Sequence, residues 1–166
     1  MATAVRVSSQ LLEKAKIKAK AFKRSVAGQI EYWSQIGEIA ESNPQFTFEH
    51  IQAILVALEE VRAHTWCHYS LGDNQPISAS ASACRQLEAL GHEERQRALP
   101  YVVHALSTMT SGQRCLGLLS DVYVTKFMAK AHYYQITYAK SKSEQVLLTI
   151  TLLQGQLMPE SQGVCI

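Results

Sequence analysis

Residues 3–41, TAVRVSSQLLEKAKIKAKAFKRSVAGQIEYWSQIGEIAE, read as one short strand followed by two helices, with no second strand nearby for the first to pair with. Thr3, Val5 and Val7 alternate with Ala2, Ala4, Arg6 and Ser8 at the two-residue period that separates a packed face from an open one. A strand carries a row of N–H and C=O groups that cost free energy if buried unpaired, and a lone edge invites pairing with another chain. The simplest such partner is a second copy of the same strand.

Ser8 or Ser9 then suits a helix N-cap, and Leu11, Leu12, Ala15, Ala19 and Phe22 fall within one arc of a helical wheel. Lys14 and Lys18 flank that arc on one side, and Lys16, Lys20 and Lys23 on the other. A second helix starts after Ser25, whose hydroxyl can cap free N–H groups, and carries Val26, Ile30, Trp33, Ile36, Ile39 and Ala40 until Asn43 and Pro44 stop it. Strand, helix and capped helix make a ribbon-helix-helix plan, with the ribbon formed between two chains.

The run VRVSSQLLEKAKIKAKAFKRSVAGQIEYWSQIGEIAESNP resembles the ParD-like antitoxins of bacterial toxin–antitoxin systems, most specifically in RSVAGQIEYWSQIG. The resemblance implies a dimer whose paired strands enter the DNA major groove, which is about 12 Å wide and admits a two-stranded ribbon. It puts Ala2, Ala4 and Arg6 on the groove side. An arginine can bond two acceptors on a guanine edge, whereas alanine offers only contact with a thymine methyl, so base reading would rest on Arg6. The N–H groups of Ser25 and Val26 suit a phosphate, with Lys23 and Arg24 adding positive charge. The competing reading of the lysine run is a solvated helix face.

The 166 residues permit one ordinary domain or two small ones, and a hydrophobic fraction of 47% is enough for a core. The formal net charge of +2 excludes little, but its distribution is uneven. Up to Arg24 the basic residues Arg6, Lys14, Lys16, Lys18, Lys20, Lys23 and Arg24 face Glu13 alone. From Ser25 to Arg62 the sign reverses, with Glu31, Glu38, Glu41, Glu49, Glu59 and Glu60 against Arg62. The first segment suits nucleic acid and the second does not. Cys67, Cys84, Cys115 and Cys165 lie far apart without a CxxC pair, signal peptide or membrane-spanning run, and read as reduced thiols in a cytoplasmic protein.

A third helix is expected over residues 46–63, where Phe48, Ile51, Ile54, Leu55, Leu58 and Val61 recur at three- and four-residue steps. It either completes the N-terminal core or lies in a partner's groove. His64, Cys67 and His68 have helical spacing but lack a fourth zinc ligand, in a segment expected to fray into a loop. The resemblance implies that this region leads to a tail able to engage a toxin, and ends near residue 72. The stretch Gly72–Ser82, GDNQPISASAS, has linker composition. The expected organisation is therefore a DNA-binding domain at 1–72, a linker at 73–82 and an α+β part at 83–166.

Residues 83–90 and 92–108 read as two helices, with Pro100 expected to kink the second or move its start. Residues 121–127, 133–138 and 145–153 are dense in Val, Ile, Thr and Tyr and read as an antiparallel meander. Two helices and a meander, with YYQITYA, a polar turn and QVLLTI, resemble the RelE/ParE/HigB toxin superfamily. In its ribosome-dependent members, basic and sometimes tyrosine or histidine side chains polarise RNA and assist proton transfer without a metal. Lys126, His132 and Tyr138 are the candidate residues here. The sequence departs from that pattern at Gln135, where arginine is frequent, and over residues 152–154, which lack the expected basic residues; a first strand before the two helices is also missing.

The expectation is a dimeric antitoxin and autorepressor that is not an enzyme, binds duplex DNA and a cognate toxin, needs no cofactor or metal, and has no membrane partner. The alternative is an antitoxin–toxin fusion whose C-terminal part retains ribonuclease or other toxin activity.

Overall fold

Of the three N-terminal helices, the second and third pack on one face of a sheet built by the rest of the chain, and the first packs on the second. A computed structural model describes residues 4–70, 76–108, 112–129, 132–140 and 145–153. In chain order the elements are α1 (Ser9–Ala21), α2 (Val26–Ser42), α3 (Phe48–Arg62), β1 (Trp66–Tyr69), β2 (Ile77–Ser80), α4 (Ala81–Ala89) and α5 (His92–Thr108). There follow β3 (Gln113–Arg114), a 3-10 turn at Gly117–Leu119, β4 (Val122–Ala129), β5 (His132–Lys140) and β6 (Gln145–Leu153). The strands form one sheet in the order β1-β2-β6-β5-β4-β3, in which β2 and β6 run parallel and the other neighbours antiparallel.

The helix starts follow their hydroxyl residues. Ser8, Ser25, Thr47 and Ser80 each accept a hydrogen bond from a backbone N–H in the first turn of α1, α2, α3 and α4. Pro100 stands inside α5, where it can offer no N–H to the preceding turn, yet the helix runs from His92 through Thr108.

Strand alternation sorts the sheet into two unlike faces. Tyr134, Ile136 and Tyr138 of β5 join Leu147 and Ile150 of β6 in a core closed by Leu87 of α4 and Leu99 and Val102 of α5. Tyr101, Phe127 and Tyr134 stack in sequence there, with ring centroids 5.5 and 5.3 Å apart. On the other face Val122, Val124, Ala139 and Leu148 pack with Cys115 and Leu119 against Ile39 of α2 and Ile51, Ile54 and Ala57 of α3. Helices α2 and α3 therefore share a core with the sheet.

Several expectations are corrected. The segment with linker composition contains β2, whose four residues are all buried. That strand is also the one missing before the two helices, and it stands directly ahead of α4. The expected fraying after α3 is instead β1, paired with β2 from Trp66 opposite Ser80 to Tyr69 opposite Ile77. Cys67 and Cys84, read as separate reduced thiols, form a disulfide that ties β1 to α4. Cys115 is a free, buried thiol whose pKa burial pushes up to about 11. Cys165 lies outside the described residues.

The expected N-terminal strand falls partly outside the described residues, which begin at Ala4. Residues 4–8 belong to no helix or strand, and all five are exposed. Among the described residues no strand of the chain's own sheet pairs with them. No helix among the described residues is long and apolar enough to cross a membrane.

Candidate nucleic-acid interface

The basic N-terminal residues are carried by a helical hairpin whose turn has defined geometry. At the end of α1 the Arg24 N–H donates to the Ala19 carbonyl at 2.8 Å and the Lys23 N–H to that of Lys20 at 3.4 Å, with Lys23 at φ 53°. This is the left-handed closing turn in which glycine is usual, occupied here by lysine. Ser25 follows at once, its Oγ accepting from the Gly28 N–H at 2.9 Å, and α2 begins. Lys23, Arg24, Ser25 and Val26 are thereby gathered at one end of the hairpin. Helix α2 begins there, so the positive end of its dipole lies at the same turn.

Arg24 has a more confined role than its position in the sequence suggests. Its guanidinium lies over the Tyr32 ring, 4.0 Å from the centroid, and donates to Gln29 Oε1 at 3.3 Å. Gln29 is itself buried. Arg24 is thus held against α2 while still exposed, and Lys23 is exposed beside it.

Ala4 and Arg6 are exposed and precede α1, while the turn follows it. At 1.5 Å per residue the 13 residues of α1 put about 20 Å between them, so one chain does not join Arg6 to the Ser25 turn. Ala2 lies outside the described residues. Val5 is 80% exposed and Val7 38%, and on α1 Ile17 is 69% exposed. Among the described residues the two valines therefore lie exposed on a backbone that pairs with no strand, and α1 carries an exposed isoleucine further along.

The three candidates in the C-terminal part do not converge. Lys126 is exposed on the face toward α3, while Tyr138 is buried on the opposite face, stacked on Tyr123 at 5.5 Å. His132 contacts Glu94 of α5, Nδ1 to Oε2 at 3.1 Å. Glu94 also accepts from the Tyr134 hydroxyl, the main reason its carboxyl stays below the usual carboxylate range, and pairs with Arg97 at 2.7 Å. Burial, and then Glu94, raise the Tyr134 pKa.

Two features were missed from sequence. The register puts Lys126 opposite Gln135 and Gln135 opposite Thr151, a polar row across β4, β5 and β6. His50 of α3 closes one side of it, Nε2 to Thr151 Oγ1 at 3.0 Å, and burial together with Lys126 lowers its pKa against the opposing pull of Glu49. Glu60 of α3 accepts from the Ser82 N–H at 2.7 Å, the Ser82 hydroxyl at 2.9 Å and Arg85 at 2.9 Å. Burial works against its charge, but these bonds outweigh it and hold the carboxyl below its ordinary value. No periodicity marks His50 or Glu60; only the position of each on α3 relative to the sheet does.

A helical hairpin with a capped basic turn and an incomplete apolar arm, joined to a sheet layered with helices, defines the class of protein: a small N-terminal helical module on an α/β body. Over residues 2–66 the chain matches the family described as ParD-like antitoxin of type II bacterial toxin-antitoxin system. That match covers the N-terminal segment, and the rest of the chain lies outside it. Comparison with curated proteins and with solved structures gives no match.

Proposed function

We propose that the protein is an antitoxin-like repressor that binds duplex DNA as a homodimer through its N-terminal arms. The observation that carries the reading is the exposure of Val5 and Val7 on either side of Arg6, on a backbone unpaired with the chain's own sheet. Pairing two such arms would cover the valines on one face and turn two copies of Arg6 outward on the other. The turn at Lys23–Val26 would then hold phosphates and fix the dimer on the duplex, supplying affinity without sequence information. The family match makes a toxin the expected protein partner.

Fluorescence anisotropy with duplex DNA from the protein's own upstream region tests this over a salt series, with Arg6→Ala alongside. The expected outcome is a steep loss of affinity with salt and a mutant that binds specific and random duplexes alike. A folded protein with no affinity at low salt overturns the reading.

One observation favours a second reading, the antitoxin–toxin fusion. The order β2, α4, α5 and then a meander supplies the first strand that the toxin-like resemblance requires. Gln135 in place of arginine, and the separation of Lys126 from His132 and Tyr138, weigh against retained RNA cleavage.

A further inference from the structure

The segment after Pro44 is the one expected to hold a separate toxin, and in this chain it is engaged by residues of the same chain. Asn43, 1% exposed, donates to the Leu116 carbonyl at 3.1 Å and accepts from the Leu116 N–H at 2.9 Å. His50 bonds Thr151, and Glu60 caps the start of α4, where a carboxylate is favoured by the helix dipole as well as by Arg85. Between these links Ile51, Ile54 and Ala57 lie buried on the sheet, and β1 extends that sheet by one antiparallel strand. A helix laid on a face and a strand added to an edge are two general ways in which one polypeptide grips another.

The face being gripped differs from the face under α4 and α5. It buries Gln135, and it buries Thr137 and Thr149, whose hydroxyls are 2.6 Å apart; Lys126 stands at its margin. The opposite face is filled by aromatic and aliphatic side chains. The face under α3 also buries Val122, Val124, Ala139 and Leu148, so α3 lies on a surface that is part polar and part apolar.

We propose that the partner of residues 43–69 is the chain's own α/β unit, residues 77–153, held in cis. The surface by which a ParD-like chain would hold a separate protein is then already occupied. The inference rests on the antitoxin reading above.

The test uses the full chain with a protease site inserted between Ser70 and Pro76 and with Cys67→Ser, so that no covalent link survives cutting; the unaltered cysteines under reductant serve as the second form. After cutting, the two pieces are expected to co-elute one to one at micromolar concentration. They should separate in mild denaturant with their circular dichroism largely kept, and recombine on dilution. Asn43→Ala with Glu60→Ala should weaken recombination at least tenfold. Pieces that separate only as they unfold, that do not recombine, or that part at once on cutting overturn the proposal. DNA anisotropy on the same cut sample reads the repressor proposal independently: recombination without DNA binding defeats that one alone.

Discussion

α1 and α3 are both amphipathic helices, of 13 and 15 residues, and they end in opposite circumstances. On α1 only Ala15 and Ala19 are buried, and Leu11, Ile17 and the following Phe22 are 37%, 69% and 60% exposed. On α3 Ile51, Ile54 and Ala57 are at most 1% exposed, under strands that the chain supplies much later. Helical periodicity states that a face needs cover; it does not state what covers it. Within one chain α3 is covered and the apolar residues of α1 stay exposed.

The largest effect should come from Ile54→Ala, because Ile54 is wholly buried between α3 and the sheet. A loss of about 2–5 kcal/mol is expected in urea unfolding, registered by fluorescence at Trp66 of β1 as well as Trp33 of α2. A loss seen at Trp33 alone would break the comparison, since α3 would then be covered without serving the sheet. Asn43→Ala should cost less, about 1–3 kcal/mol, because it leaves the Leu116 N–H without its partner. Acid should act through His50. Its pKa is lowered on folding, so its contribution is complete above the unfolded value and is lost as pH falls below about 6.5. Thermal scans between pH 8 and 5 should show a decline that His50→Gln makes shallower; an unchanged decline would remove His50 from the α3–sheet contact. The smallest change in monomer stability, within about 0.5 kcal/mol, is expected for Ile17→Ser. The same variant should weaken self-association in sedimentation equilibrium, and a stable monomeric wild type would end the distinction between the two helices.

Much of the N-terminal hairpin was legible because its signals are local. Ser25 caps the helix it was expected to cap, and the strands rich in Val, Ile and Tyr fall where the sequence put them, with β5 and β4 each somewhat longer. β2 was not legible. Its residues, ISAS, are small and polar, which is turn and linker composition when read alone. In the fold such side chains fit between β1 and β6: the Ser80 hydroxyl donates to the Leu148 carbonyl at 3.1 Å and accepts from the Ala83 N–H at 3.0 Å. Likewise the Cys67–Cys84 bond depends on the β1–β2 pairing that brings the two residues together. At the candidate interface Ser25 and Val26 were legible as a helix start. The fixing of Arg24 by Tyr32 and Gln29 was not, because it depends on how the turn before α2 folds Arg24 back along that helix.

The parallel pairing of β2 with β6 joins residues about seventy positions apart, Ser78 with Val146 and Ala79 with Leu147. During synthesis, the second edge of β2 and the part of α3 that packs on β6 therefore stay open until the last described strand has been made. At about 5–20 residues per second, the interval between α3 and the end of β6 lasts roughly five to twenty seconds. Over that interval a nascent chain carries a finished basic hairpin on an unfinished body, open to chaperones and proteases. The abundance of this protein should accordingly depend on how promptly translation reaches Leu153.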